Sequence, residues 1–402
     1  MIKKSHIILL LFASIFLCSL TSVITGTGII DINNLDDYAN QPIPSYINKD
    51  NTPTNNAITD EGATLGRVLF YDKNLSIDNS ISCASCHKQE FAFGDTAVAS
   101  IGVDGTTGRH SMRLVNARFA DETHFFWDER ANSLEEQSTM PIQDHIEMGF
   151  SGTLGDPDID SLRNKLSNLS YYQDLFTVVY GDPMITEQRM QQALAQFIRS
   201  IQSFDSKYDI GRAAAPNNGA PFANFTAQEN LGKQLFLAPP LGGGGGGAGC
   251  GGCHRAPEFD IDPNSLNNGV LGTIGNNGND LTNTRAPSLR DIFNQNGVQN
   301  GPLMHNGAIP TIAGVINHYN QPPPNALNAN LDPRLLTPPG PGGQQLVNLN
   351  LTQVEKDALE AFIKTLSGTD IYTNPKWSDP FDANGNLTIM GITTTVDEIE
   401  EE

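Results

Sequence analysis

Basic residues are scarce in this chain: its 402 residues carry 24 Lys and Arg against 45 Asp and Glu, a net charge of −21. That balance excludes a protein that coats nucleic acid, which needs a basic stripe to displace counterions. Long apolar runs are missing too, since beyond the N-terminus nothing approaches the ~18 consecutive apolar residues that span a bilayer. Strand-like alternation of apolar and polar residues is rare, which points to a mainly helical fold. Charged residues make up 17% and hydrophobic residues 38%, so the body is neither a membrane bundle nor a highly charged disordered chain. Cysteine is sparse, with five in all. Four of those five form two Cys-x-x-Cys pairs, each followed at once by a histidine.

The ends of the chain read separately from the body. Lys3 and Lys4 precede an apolar run from Ile7 to Leu17, the pattern of a secretory signal too short to span as a mature helix. The expectation is a signal over residues 1–27 and export to the periplasm. Cys18 is the one route to a membrane, as a lipid acceptor, and the bulky Leu17 before it argues for simple cleavage instead. Residues 28–56, rich in Asn, Asp and Pro, read as a linker or extended arm. Residues 371–402 read as an acidic tail ending in Glu398, Glu400, Glu401 and Glu402.

Between these ends the chain repeats itself. Leu65-Gly66-Arg67-Val68-Leu69-Phe70 returns as Leu231-Gly232-Lys233-Gln234-Leu235-Phe236, and Cys83-Ala84-Ser85-Cys86-His87 returns as Cys250-Gly251-Gly252-Cys253-His254. Ala193-Leu194-Ala195-Gln196-Phe197-Ile198 returns as Ala358-Leu359-Glu360-Ala361-Phe362-Ile363. The offsets are 166, 167 and 165, so one domain has been duplicated. Thr226-x-x-Glu229 and Thr352-x-x-Glu355 are capping boxes that start two of the second domain's helices. The reading is two tandem, mainly α, cytochrome c-like domains over residues 57–212 and 213–370.

Two cysteines one helical turn apart point the same way and can add to the two vinyl groups of one haem, with the next histidine facing the iron. A zinc site would have to join pairs 167 residues apart and would need neither histidine. A thioredoxin-like pair wants a βαβ setting. A disulfide across three residues closes a strained ring. The reading is therefore two covalently attached c-type haems, held by Cys83, Cys86, Cys250 and Cys253, with His87 and His254 as proximal ligands.

In the first domain Phe125-Phe126-Trp127-Asp128-Glu129-Arg130 leads to Leu134-Glu135-Glu136-Gln137 and on to Glu147-Met148. Trp127, Gln137 and Glu147, ten residues apart, resemble the spacing in the bacterial di-haem cytochrome c peroxidases, a family that includes MauG. The resemblance covers most of residues 57–370. It implies that Glu147 is the acid–base group over a peroxide-binding haem, that Gln137 sits beside it, and that Trp127 lies between the haems on the electron path.

Two departures follow from the same resemblance. Val103 stands about where many family peroxidases carry a second histidine that blocks the resting iron, which predicts an open site needing no reductive activation. His110, the minority alternative for that ligand, stands where the family has a calcium-binding Asn. That weakens a calcium site, to which the Asn300 and Pro302 carbonyls could still contribute. In the second domain the position 14 residues after His305, where the peroxidases place a ligand methionine, is Tyr319. Tyrosine there resembles MauG and would lower the haem potential. Met304, His318 or no ligand are the alternatives, and His305 reads as a pocket residue near the haem edge.

The resulting expectation is a periplasmic cytochrome c peroxidase that reduces hydrogen peroxide with electrons from a small donor such as a cytochrome c or cupredoxin. A MauG-like oxidase acting on a partner protein and a plain di-haem electron carrier are the alternatives. A homodimer is compatible with the resemblance.

Overall fold

The computed structural model describes residues 26–240, 246–275 and 278–392. The signal segment with Cys18 and the terminal glutamates lie outside the described residues. Within them the chain is mainly helical, and its strands form only short two-stranded pairs.

Each half is built on one crossing of two helices. In the first, Asp60–Tyr71 starts at Thr59, whose side chain accepts from the Gly62 N–H, and buries Leu65, Val68 and Leu69 at helical spacing. It packs against Glu187–Ser200. In the second, Ala227–Leu237 packs against Gln353–Lys364, and both of these helices begin with the expected capping boxes.

Glycine makes both crossings close. A Cβ on Gly66 would lie 2.0 Å from the Ala193 carbonyl oxygen, and one on Gly232 would lie 1.8 Å from that of Ala358. The same aromatic pair seals each crossing: Phe70 on Phe197 and Phe236 on Phe362, both with ring centroids 5.2 Å apart. Two buried apolar clusters follow, one around Leu69, Phe70 and Phe197 and one around Phe236, Phe259 and Phe362.

The chain ends correct one expectation. Residues 371–392 are not a solvated acidic tail: Ile371, Trp377 and Phe381 are buried in the first half's cluster. Thr388–Met390 pairs in parallel with Ile29–Asp31. This stretch holds two Asp and one Lys, and its three apolar anchors dock it, because burying a large apolar side chain contributes roughly 1.5–3 kcal/mol. Residues 28–56 run as an arm touching both halves. Tyr38 is buried in the first cluster, while Asn48 N donates to Glu258 (3.0 Å) and Lys49 Nζ to Asp260 (2.6 Å) in the second half.

The seam between the halves carries a local twofold relation. Phe126 and Met304 both take left-handed backbone (φ 70° and 72°), flanked by matching bridges of Phe125 to Ala131 and Leu303 to Ile309. The next residues, Trp127 and His305, therefore occupy equivalent places, and their rings meet edge to face at 6.3 Å. The backbone bonds are reciprocal. His110 N donates to the His305 carbonyl (2.7 Å), and Arg285 N donates to the Trp127 carbonyl (3.1 Å).

Candidate functional site

A cavity lies beside each Cys-x-x-Cys-His segment, and the first is lined by residues of both halves. The first, about 830 Å³, is lined by Cys83, Cys86, His87, Trp127, Gln137 and Glu147, among others. The second, about 570 Å³, is lined by Cys250, Cys253, His254 and Tyr319, with largely apolar neighbours such as Leu289, Ile316 and Leu359. Both volumes lie in the range of cofactor sites. Ile261, Arg285 and Ala286 border both cavities and form their common wall.

The first motif is a single helical turn, Cys83–Cys86, closed by His87 N donating to the Cys83 carbonyl (2.9 Å). The chain then reverses through left-handed Ala92 and Phe93 (φ 56° and 59°). This brings the Phe93 carbonyl to 3.3 Å from His87 Nδ1. A carbonyl can only accept, so Nδ1 carries the proton and Nε2 keeps its lone pair free to bind a metal. The second motif repeats the turn, with Cys253 N donating to the Cys250 carbonyl (3.1 Å), and left-handed Phe259 (φ 59°) repeats the reversal. Here His254 Nδ1 is buried without a hydrogen-bond partner. Burial lowers the pKa of both imidazoles, that of His254 to about 4, so both are neutral ligands at pH 7.

The four thiols are free, not disulfide-bonded. Burial raises Cys83 and Cys250 to about 12 and Cys86 and Cys253 to about 11, so they are not the reactive thiolates of a redox pair. The two pairs line separate cavities, which removes a shared zinc site. Two inward thiols, a neutral imidazole and an apolar enclosure fit a c-type haem in each cavity.

Glu147 enters the first cavity from a turn fixed by its own N–H, which donates to Asp144 Oδ1 (3.0 Å). Burial raises its carboxyl to about 7, with Asp144 adding to the shift and Arg130 opposing it. Gln137 reaches the same cavity from the short helix Leu134–Thr139. Val103 is not among the lining residues; its N–H donates to the Glu147 carbonyl (3.1 Å). His110 lines the cavity, with Nδ1 bonded to the Ala97 carbonyl (2.9 Å). The charges acting on it are Arg113 and Asp95, and Asp95 also acts on His87, whereas Glu147 feels Asp144 and Arg130.

Trp127 sits in the seam with 8% of its surface exposed. Its indole N–H donates to the His110 carbonyl (2.7 Å), and its own carbonyl accepts from the N–H groups of Thr284 and of Arg285, the latter in the common wall. In the second cavity the helix Ile312–Asn320 carries Tyr319, and burial raises its phenol well above the usual value. Neither Met304 nor His318 lines this cavity. Met304 Sδ lies 3.4 Å from Asn268 Nδ2, and His318 Nε2 lies 2.9 Å from the Asn268 carbonyl. His305 corrects the expectation of a pocket residue: it lines neither cavity, because Nε2 is held on the Gly272 carbonyl (3.0 Å). Arg113, Arg130 and Arg285 also line the first cavity, a role the sequence did not mark, because a lone arginine reads like any surface residue.

Fold and site together define a duplicated helical protein with two enclosed Cys-x-x-Cys-His cavities that share a wall. Residues 60–214 match the family described as di-haem cytochrome c peroxidase. The methylamine utilisation protein MauG of Methylorubrum extorquens is 30% identical over 282 residues, 66% of this chain and 70% of that protein. The cytochrome c551 peroxidase of Nitrosomonas europaea is 25% identical over 380 residues, 92% of this chain and 93% of that protein. Among solved structures, a MauG-like protein associated with microbial copper homeostasis superposes with a TM-score of 0.65 at 27% identity, over 85% of this chain and 99% of that one. The chain belongs to the di-haem cytochrome c peroxidase and MauG family of haem oxidoreductases.

Proposed function

We propose that this chain is an exported peroxidase that reduces hydrogen peroxide to water with electrons from a small redox protein. Residues 57–212 form its peroxidatic half and residues 213–370 its electron-transfer half. The observation that carries this reading is the pairing of Glu147 and Gln137 with His87 in one cavity. A haem bound there supplies an iron that binds peroxide and accepts its oxidising equivalents.

Cys83 and Cys86 would anchor that haem and His87 would ligate it; Cys250, Cys253 and His254 would do the same in the second cavity. Glu147, poised near pH 7, takes the proton from the inner peroxide oxygen and returns it to the outer one, which leaves as water. The Gln137 amide, in the same cavity, would help orient the peroxide for that transfer. Two electrons and two further protons complete reduction to a second water. Trp127, bonded into the common wall, bridges the two halves on the electron path. The acidic surface favours a basic donor, with association that slows as salt rises. For calcium, His110 offers no oxygen donor, which leaves the Asn300 and Pro302 carbonyls.

A second reading, a MauG-like oxidase acting on a partner protein, is favoured by Tyr319 on the second cavity and by Val103 where a blocking histidine would fall. One experiment separates the two. Peroxide is added to the fully oxidised protein, the visible spectrum is followed, and reduced cytochrome c is then supplied. Rapid cytochrome oxidation without prior reduction is the expected result. A spectral change that persists with poor cytochrome turnover would favour the oxidase, and no reaction at all would remove both.

A further inference from the structure

Most of the chain's arginines in the interior are balanced. Arg290 is paired with Asp209 (2.8 Å) and Arg199 with Glu135 (2.6 Å). Two others are enclosed and have no carboxylate within 4.0 Å among the described residues: Arg113 and Arg285. Both line the first cavity, and Arg285 borders the second as well. Each reaches across the seam to a backbone carbonyl of the other half. Arg113 Nη2 donates to Ser288 O (3.1 Å), and Arg285 Nη1 donates to His124 O. Arg113 Nε is buried with no partner at all. Arg285 also lies over the Phe125 ring, 4.5 Å from its centroid.

An enclosed guanidinium with no carboxylate in contact is costly to bury, and here carboxylates act only from beyond contact: Asp291 on Arg113, and Glu122, Glu129 and Asp260 on Arg285. Burial lowers both arginines to about 10, which still leaves them cationic at pH 7. A carbonyl partner satisfies one N–H but does not neutralise the charge. The place left open is for an anion in contact with each guanidinium on the cavity side, and a haem brings two propionate carboxylates. A planar, forked donor matches a carboxylate in geometry as well as in charge.

We infer that Arg113 and Arg285 form a carboxylate clamp in the wall between the cavities, Arg113 holding a propionate of the first haem and Arg285 a propionate presented to the common wall. Because each arginine is already bonded to the opposite half, haem loading in either cavity neutralises a cation that ties the halves together. Loading and docking of the halves are therefore coupled. The inference rests on the haem reading of the two cavities.

The test is a spectroelectrochemical titration of both haems in the full-length holoprotein, with Arg113→Gln, Arg113→Lys and Arg285→Gln beside the parent. A nearby cation favours the reduced iron, so its removal lowers the midpoint. Arg113→Gln should raise the first haem's oxidised-to-reduced ratio at fixed potential about tenfold, about 59 mV for a one-electron couple. Arg113→Lys should restore most of the shift, and Arg285→Gln should lower at least one midpoint. Unmoved midpoints in both glutamine variants overturn the clamp. If Arg113→Gln does not retain haem, Arg113→Lys decides: restored loading supports the clamp, and equal loss overturns it. A pyridine haemochrome assay of the parent separates the two levels, since a parent without covalent haem removes the haem reading itself.

Discussion

In both halves a glycine lets the opening helix touch a carbonyl of the closing helix, and a second helix packed on the closing one carries a side chain into the cavity. In the first half that side chain is the Gln137 amide, joined by a carboxyl poised near 7 from Glu147. In the second it is the Tyr319 phenol. The proximal histidines differ as well: His87 is hydrogen-bonded through Nδ1, and His254 is not. The duplicated scaffold sets where a cofactor sits, and a few substitutions on the facing wall set what it can do. A carboxyl and an amide in the cavity of His87 and a phenol in that of His254 give the two cavities different chemistry.

The largest expected effect comes from breaking each half at its ligand. His87→Gly should abolish peroxide turnover. His254→Gly should leave the reaction of oxidised protein with peroxide and stop donor-driven turnover. Stopped-flow spectra with and without reduced cytochrome c check this, and identical behaviour of the two variants would erase the division of labour.

Next, Glu147→Gln should slow the peroxide reaction at least about 100-fold. Below about pH 7 the parent's carboxyl is protonated and cannot take the peroxide proton, so its rate should rise with pH through that point. The rate of Glu147→Gln should lack that limb; a pH profile of the peroxide rate is the measurement.

Gly66→Ala and Gly232→Ala probe the likeness rather than the difference. Each forces a methyl group against a carbonyl oxygen and should cost about 1–3 kcal/mol. Denaturant titration of the two variants should give similar losses, and a large loss in only one would mean that the crossings are not equivalent. The most local effect is expected from Tyr319→Phe. If Tyr319 is the ligand of the second haem, its loss should raise the midpoint of that haem and leave the first unchanged, as read by redox titration; an unmoved midpoint would remove Tyr319 as ligand.

Much of this comparison was legible in the chain itself. The offsets of the Leu-Gly, Cys-x-x-Cys-His and Leu-x-x-Phe-Ile segments marked the duplication because their residue types are tied to local geometry: a glycine at a crossing, two cysteines on one turn, an apolar stripe on a helix. The spacing of Trp127, Gln137 and Glu147 marked the first cavity through its likeness to a family. The seam was not legible. Trp127 and His305 occupy equivalent places but share no chemistry, and only the left-handed backbone before each one reveals the relation. The C-terminal anchors Ile371, Trp377 and Phe381 were hidden because they are scattered among polar and Pro/Gly residues and show no helical or strand period.

The sequence by itself determined that the chain is a tandem repeat with two Cys-x-x-Cys-His turns, because such motifs are local and survive in one dimension. The tertiary structure decided which distant residues share a wall. It brought Arg113 and Arg285 to the boundary of the cavities with no carboxylate in contact, placed Tyr319 in the cavity of the second motif but not His318 or Met304, and pushed Glu147 toward neutrality by burial. Burial and long-range pairing depend on what the rest of the chain places nearby, and no spacing along the chain records that.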